Sequence, residues 1–295
     1  MRIAILSRNP KLHSIRRLRY EAAQLDMECQ VIDPLACQLV IRGKESQIVL
    51  KNRPLPSFDA ILPRIGASIT DYGLCVVRHF EMKKIPTMNG SRAIAESRDK
   101  MRSLQVLTEA DLLVPATVLT RNTQSLKTAI EAVQGLPVVL KILRGTQGVG
   151  VMLVHSPVSL GSVLDTLRTL DQDAIIQQFI VEGAGRDYRA LVIGDRVVAA
   201  MVRTAPQGEF RSNIHRGGSA QIVQLSKKFE QTAVRAAKTL GLQIAGVDLM
   251  ESHEGPLVIE VNSSPGFEGI EKATGINVAQ AIMKHMKATI HKRRR

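Results

Sequence analysis

Near the C-terminal end of the 295-residue chain, two apolar runs flank a Ser252-His253-Glu254-Gly255 turn: Ala245-Gly246-Val247-Asp248-Leu249-Met250 and Leu257-Val258-Ile259-Glu260-Val261-Asn262. With the turn centred on Glu254, Asp248 and Glu260 are equidistant from it. They then oppose each other across an antiparallel ladder, about 5 Å apart at Cβ. Asn262, two residues on, shares the face of Glu260. Two carboxylates at that distance repel by roughly 3 kcal/mol at an effective dielectric near 20. Both interrupt Val, Leu and Ile, where an acid costs most. A hard divalent cation offsets that cost through oxygen ligands, and magnesium leaves its other positions to water and phosphate. A half-exposed strand with alternating polar residues gives the same pattern, so spacing alone leaves both readings open.

Lys141 lies within Pro137-Val138-Val139-Leu140-Lys141-Ile142-Leu143, just before Arg144-Gly145-Thr146-Gln147-Gly148-Val149-Gly150. A strand lysine beside a glycine-rich turn suits phosphate, with backbone N–H groups approaching and the ammonium as a point charge. The spacing is neither Walker A nor the dinucleotide fingerprint, and an edge-strand lysine that deters aggregation explains it too. Gln177-Gln178-Phe179-Ile180, followed by Glu182-Gly183 and Asp187, could offer backbone groups to an adenine. Phe210-Arg211-Ser212-Asn213-Ile214-His215-Arg216-Gly217-Gly218 is rich in donors for an oxyanion or carboxylate; a solvated basic loop or an RNA contact is the alternative. No Ser-His-Asp or Cys-His pattern favours nucleophilic catalysis.

The elements that must position these residues alternate. Strands at Arg2–Ser7, Glu28–Asp33 and Ala60–Arg64, with helices at His13–Leu25 and Ile69–Glu81, predict a small α/β domain with a largely parallel sheet. A new unit begins near Pro86–Asn89, with a charged helix over Ala93–Ala110. Strands follow at Val114–Leu119, Pro137–Leu143, Val151–His155 and Ala174–Phe179, with helices at Gln124–Val133 and Val158–Leu170 between them. Gly194-Asp195 between apolar runs predicts a hairpin of Asp187–Ile193 with Arg196–Arg203. A helix at Lys227–Leu240, the Asp248 hairpin and an amphipathic helix at Ile276–Ile290 complete the chain.

Lys plus Arg number 40 against 27 Asp plus Glu, a net charge of +13. Four of these charges sit in Lys292-Arg293-Arg294-Arg295. Such a surface attracts nucleic acid, anionic membrane or an acidic substrate, but 3% aromatics and no Trp argue against stacking platforms for single strands. Cys29, Cys37 and Cys75 form no disulfide framework or zinc pattern and fit a reducing cytosol. No apolar run approaches the ~18 residues of a membrane span, and the start reads as a strand rather than a signal peptide.

Taken in order, these pieces resemble an ATP-grasp ligase. The likeness is closest to the RimK type, which adds glutamate to the C terminus of a small-subunit ribosomal protein. It is carried by Arg64-Ile65-Gly66, Ser97-Arg98-Asp99-Lys100, Lys141 through Gly150, Asp187-Tyr188-Arg189, Phe210–Gly218, Ala245–Asp248, Glu260-Val261-Asn262-Ser263-Ser264-Pro265-Gly266 and Gly269–Gly275. Nearly the whole chain is covered, except the basic tail. The resemblance implies an α/β protein (α+β lobes) of the ATP-grasp fold. Residues 1–93 would form a pre-ATP-grasp α/β domain, 94–176 a central lobe and 177–295 a C-terminal lobe with the metal site and basic tail.

By position, the resemblance implies that Lys100 and Lys141 contact nucleotide phosphates, and that Gln178, Phe179 and Ile180 hold adenine. Asp187 would meet the ribose, and Asp248, Glu260 and Asn262 would hold two Mg²⁺ (or Mn²⁺), Glu260 being shared. Arg211, Ser212 and Asn213 would line the nucleotide site, Arg211 and Asn213 as catalytic groups facing the transferred phosphate and acyl intermediate. Gln178 stands where an acid is common in the family; a backbone role survives that change.

The implied chemistry is attack of a substrate carboxylate on the ATP γ-phosphate, then displacement of phosphate by the amine of L-glutamate, repeated if glutamate is polymerised. Closing lobes would keep water off the acylphosphate, with the glycine loop as a lid. Arg64, Arg189, Arg203, Arg216 and Ser264 are the expected substrate-binding residues for the ribosomal protein's acidic tail. A cytoplasmic homo-oligomer without membrane contact is expected, its basic tail open to RNA. The alternatives are a same-fold ligase for another amino acid or carrier protein, and a basic ribosome- or RNA-associated binding protein.

Overall fold

The computed structural model describes residues 1–121, 126–143, 150–212 and 217–294. The chain begins with β1 (Arg2–Leu6), α1 (His13–Gln24), β2 (Glu28–Ile32), β3 (Cys37–Arg42), β4 (Glu45–Leu50), β5 (Arg53–Pro54), β6 (Ala60–Pro63) and α2 (Thr70–Met82). Strands β2, β1 and β6 form a parallel sheet in that order, as the alternating pattern predicts. Residues 37–54, to which the sequence reading assigns nothing, form an antiparallel sheet β3-β4-β5. Its strands are mostly half-exposed and lack a clean alternation.

The helix expected over Ala93–Ala110 is two, α3 (Ser91–Arg98) and α4 (Lys100–Glu109). Asp99 breaks it: its backbone is extended (φ −84°, ψ 109°), and its carboxylate caps α4 by accepting from the Arg102 N–H at 3.0 Å. The cap turns Lys100 into the first residue of a new helix.

Next come β7 (Thr117–Leu119), α5 (Leu126–Ala132), β8 (Val138–Ile142), β9 (Val151–Val154), α6 (Pro157–Thr169) and β10 (Ala174–Gln178). Their sheet has the order β7-β10-β8-β9, and its core of Val138, Leu140, Ile176, Leu160 and Leu164 draws only on this segment. The last segment holds β11 (Arg186–Ile193), β12 (Arg196–Thr204), β13 (Ser219–Ile222), α7 (Lys227–Thr239), β14 (Ile244–Ser252), β15 (Gly255–Asn262), α8 (Glu268–Thr274) and α9 (Val278–Arg294). Strands β13 and α8 are additions to the sequence reading; β13 is mostly exposed and α8 spans 7 residues.

The five-stranded sheet β13-β12-β11-β14-β15 is covered on both faces. One face packs under α7, where Ala233, Ala236, Ala237 and Leu240 meet Ala190, Val192, Val247, Val258 and Val261. Alanines at i, i+3 and i+4 let this helix sit close. The other face joins α8, α9, α1 and β1 in one cluster, which runs from Ile3 and Ile5 through Leu191, Met201 and Phe267 to Met283. Among the described residues no helix is long and apolar enough to cross a membrane.

Candidate active site

The β14–β15 hairpin pairs Ser252 with Gly255, so its loop is the two residues His253-Glu254. A regular ladder from that loop would set Asp248 opposite Ile259. The register instead shifts between Asp248 and Leu249, and Asp248 faces Glu260. The extra residue is a β-bulge on β15. One residue of slip reverses the face of everything beyond it. Val258 and Val261, three apart, therefore both lie under α7, while Glu260 and Asn262 share the opposite face with Asp248. The sequence reading reached this pairing from a turn centred on Glu254; the bulge compensates for the shorter loop.

Gly246, opposite Asn262, is needed as glycine: a Cβ there would come within 2.8 Å of Pro265 Cβ. Asn262 donates its amide N–H to Gly246 O at 3.5 Å, leaving the amide oxygen as an acceptor. Two carboxylates and an amide oxygen are a donor set suited to a hard divalent cation. The set holds only two acids, and among the described residues no three His, Cys, Asp or Glu gather for a metal.

Asp248 is 5% exposed and heavily engaged. Arg189, its cross-strand neighbour on β11, donates Nε and Nη2 to its two oxygens at 2.7 and 2.6 Å. Arg203, on β12, grips Asp187 the same way, at 2.6 Å for both bonds, and its Nη2 lies 3.1 Å from Asp248 Oδ2. Burial pushes the Asp248 carboxyl up, but the charges and hydrogen bonds of the two arginines outweigh it and hold it below the carboxylate range. Arg189 and Arg203, expected to line a groove for an acidic acceptor, are instead engaged by buried carboxylates. Pairing with these acids satisfies guanidinium groups that the sheet draws inward. Asp187, expected at a ribose, has both oxygens on Arg203.

Lys141 lies near this cluster on β8 of the four-stranded sheet, and Lys100 at the start of α4, a helix whose Leu107 packs in the core under α7. Lys141 donates to Gln177 Oε1 at 2.5 Å, and Lys100 to Leu143 O at 3.0 Å. Burial lowers the Lys141 ammonium to about 8, against the opposing pull of Glu260, Asp248 and Asp187 and with help from Lys100. Burial also lowers Lys100, again opposed by Glu260. Both lysines thus lie within electrostatic reach of exposed Glu260.

At the end of β10 the Gln178 N–H donates to Ala116 O at 2.8 Å, and its side chain bonds to Gln134 and to Ala116 N–H. Phe179 is half-buried and Ile180 is 5% exposed. Ser212 is also buried, 5% exposed. Arg211 is held by Glu209 through two bonds of 2.9 and 2.7 Å and crosses to β9, donating to Val151 O at 3.0 Å. Asn213, Arg216 and most of the glycine loop, residues 144–149, lie outside the described residues.

Arg64 reaches Pro265 O at 2.7 Å and lies over the Phe267 ring, whose edge also meets His13. Burial lowers Arg64 to about 10, with Arg98 adding repulsion. The hydroxyls of Ser263 and Ser264 are buried without a partner among the described residues.

Sequence reasoning missed Asn89. It is 1% exposed, donates to Ile244 O and Ser263 O at 2.7 and 2.8 Å, and accepts from Gln243 and Ile244 N–H at 2.7 and 3.0 Å. It pins the start of β14 to the end of β15. Its position at the junction between units was the only clue.

The RimK-like ATP-grasp domain model matches residues 97–286, a span that contains every residue from Lys100 to Asn262. The RimK PreATP-grasp domain model matches residues 1–94. The chain belongs to the RimK-like ATP-grasp family. A family protein of Syntrophotalea carbinolica, named "Probable alpha-L-glutamate ligase", is 50% identical over 285 residues, 96% of this chain and 94% of that protein. One of Pseudomonas fluorescens with the same name is 48% identical over 286 residues, 97% of this chain and 95% of its own.

The ATP-grasp fold recurs in the crystal structure of a RimK domain protein from Sphaerobacter thermophilus, with a TM-score of 0.74, 24% identity and coverage of 97% and 99% of the two chains. It recurs also in D-alanine–D-alanine ligase from Bacillus anthracis complexed with ATP, with a TM-score of 0.70, 18% identity and coverage of 100% and 98%. This RimK-like enzyme is an ATP-dependent carboxylate–amine ligase.

Proposed function

We propose that this ligase joins L-glutamate by an amide bond to the C-terminal carboxylate of a small-subunit ribosomal protein, through an acylphosphate, and that it extends the product with further glutamates. What supports this is the nearness of Lys141 to Asp248 and Glu260, and of Lys100 to Glu260, around the bulged hairpin, together with relatives of about half identity over nearly the whole chain that carry the glutamate ligase name. The working units are a first domain of residues 1–93, a central lobe of 94–176 and a C-terminal lobe of 177–295.

In this reading Lys100 and Lys141 receive the nucleotide phosphates, and the backbone and apolar groups of Gln178, Phe179 and Ile180 receive adenine. Asp187 reaches the ribose directly or through the position of Arg203. Asp248, Glu260 and Asn262 hold two Mg²⁺ or Mn²⁺ ions. When bound, those ions offset charge on the transferring phosphoryl group. Arg211, Ser212 and Asn213 face the phosphate and the acyl group, with Glu209 fixing the Arg211 guanidinium. Arg64, Arg216 and Ser264 meet the acceptor carboxylate or the incoming amino acid. The protein works in the cytoplasm as a homo-oligomer, and its basic tail contacts ribosomal RNA.

The test is to incubate the pure protein with ATP, magnesium and each amino acid in turn, with and without a peptide ending in glutamate. Mass spectra should show glutamate alone added to the peptide, with one ADP per bond. Attachment of another amino acid would favour the same-fold alternative, and no ADP release with any would leave a binding protein.

A further inference from the structure

We propose that Arg189 and Arg203 keep divalent cations off Asp248 until nucleotide phosphate arrives, so that metal enters the site only together with the nucleotide. The inference rests on the metal role proposed above for Asp248, Glu260 and Asn262.

Three carboxylates, Asp187, Asp248 and Glu260, share the cluster with four cations: Arg189, Arg203, Lys141 and Lys100. They come from β11, β12, β14, β15, β8 and α4. These seven groups sum to +1 when all are ionised. A divalent cation approaching Asp248 finds both oxygens accepting from guanidinium N–H groups at 2.6–2.7 Å. It would have to sit beside those cations in a buried place, where repulsion is little screened. Magnesium also gives up its water reluctantly.

The same positive balance favours an anion. A nucleotide triphosphate brings several negative charges and reverses the sign of the cluster, after which a cation is attracted. A carboxylate has about four lone-pair sites, so Asp248 can serve a metal while the arginines stay. Arg189 and Arg203 are then positioning residues: they set the order of arrival and hold Asp248 in place, without touching the reacting atoms.

Retention of Mn²⁺ on ultrafiltration tests this without turnover. The unaltered protein should hold little bare Mn²⁺ and about one to two equivalents with the non-hydrolysable analogue AMPPNP. Arg189→Gln should tighten bare Mn²⁺ about tenfold or more, whereas Arg189→Lys, which keeps the charge, should not. A purely structural arginine would not separate Gln from Lys in this way.

Bare Mn²⁺ held by the unaltered protein as tightly as with AMPPNP would overturn the proposal, and that comparison needs no substitution. Equal retention of bare Mn²⁺ by Arg189→Gln, Arg189→Lys and the unaltered protein would overturn it as well. Full AMPPNP-supported retention in Glu260→Gln would overturn the metal assignment itself, and the proposal with it.

Discussion

Asp248 and Glu260 face one another across the β14–β15 ladder because one extra residue, at Ile259, bulges out of it. Deleting Ile259 should give a regular hairpin in which Glu260, now directly after Val258, still opposes Asp248, while Val258 and Val261 stay under α7. ADP formation should therefore persist in the deletion variant. Loss of ADP formation in a folded variant would show that the bulge itself, and not only the pairing, shapes the site.

The two carboxylates should also part company on substitution. Asp248→Ala leaves Arg189 and Arg203 short of a buried partner and should cost about 3–5 kcal/mol in urea unfolding. Glu260→Gln, at an exposed position, should cost under about 1 kcal/mol. Both should abolish phosphate release, so a stable, inactive Glu260→Gln separates chemistry from folding.

Lys141 carries a pH signature. Its ammonium is held down to about 8 by burial, from 10.5. Between those values the unfolded chain binds more protons than the folded one, so this residue makes stability rise with pH across the window. Below pH 8 the penalty is complete, at up to about 3 kcal/mol. Lys141→Met removes it but orphans Gln177 Oε1, at about 1–2 kcal/mol. The net expectation near pH 7 is a gain of about 1–2 kcal/mol that vanishes by pH 10.5, checked by melts at several pH values. In the native enzyme kcat/KM should decline above pH 8 as the free lysine loses its proton.

Removing Lys292–Arg295 should leave turnover on a short peptide within about twofold, since surface changes away from a site have small effects. Affinity for a glutamate-rich acceptor should weaken as salt rises. A large kcat loss on truncation would tie the tail to the active site, and salt-independent binding would exclude electrostatic capture.

Much of this was legible because it lies in local pattern. Alternating apolar runs gave the parallel first sheet, and Gly194-Asp195 gave the β11–β12 hairpin, whose loop joins Ile193 to Arg196. The Asp248–Glu260 pairing was legible in outcome but not in cause, because a bulge compensating for a two-residue loop leaves no trace in hydrophobic period. Asp99 was hidden within an otherwise helical run, since an aspartate reads equally well as a surface residue or a cap. The Asp187 partner of Arg203 lies within the legible β11–β12 hairpin and went unread, whereas the Asp248 partner of Arg189 was invisible because the neighbourhood of β11 and β14 is a tertiary fact. Asn89 was invisible for the same reason, as its four bonds reach residues more than 150 positions away.

Asn89 has a mechanical consequence. Its amide fastens the exit of the first domain to both strands that carry Asp248 and Glu260, and the cluster from Ile3 to Met283 welds the first sheet to the five-stranded one. The four-stranded sheet keeps a core of its own. The four-stranded sheet that carries Lys141 is thus the one sheet of these three held outside a single block made of the other two.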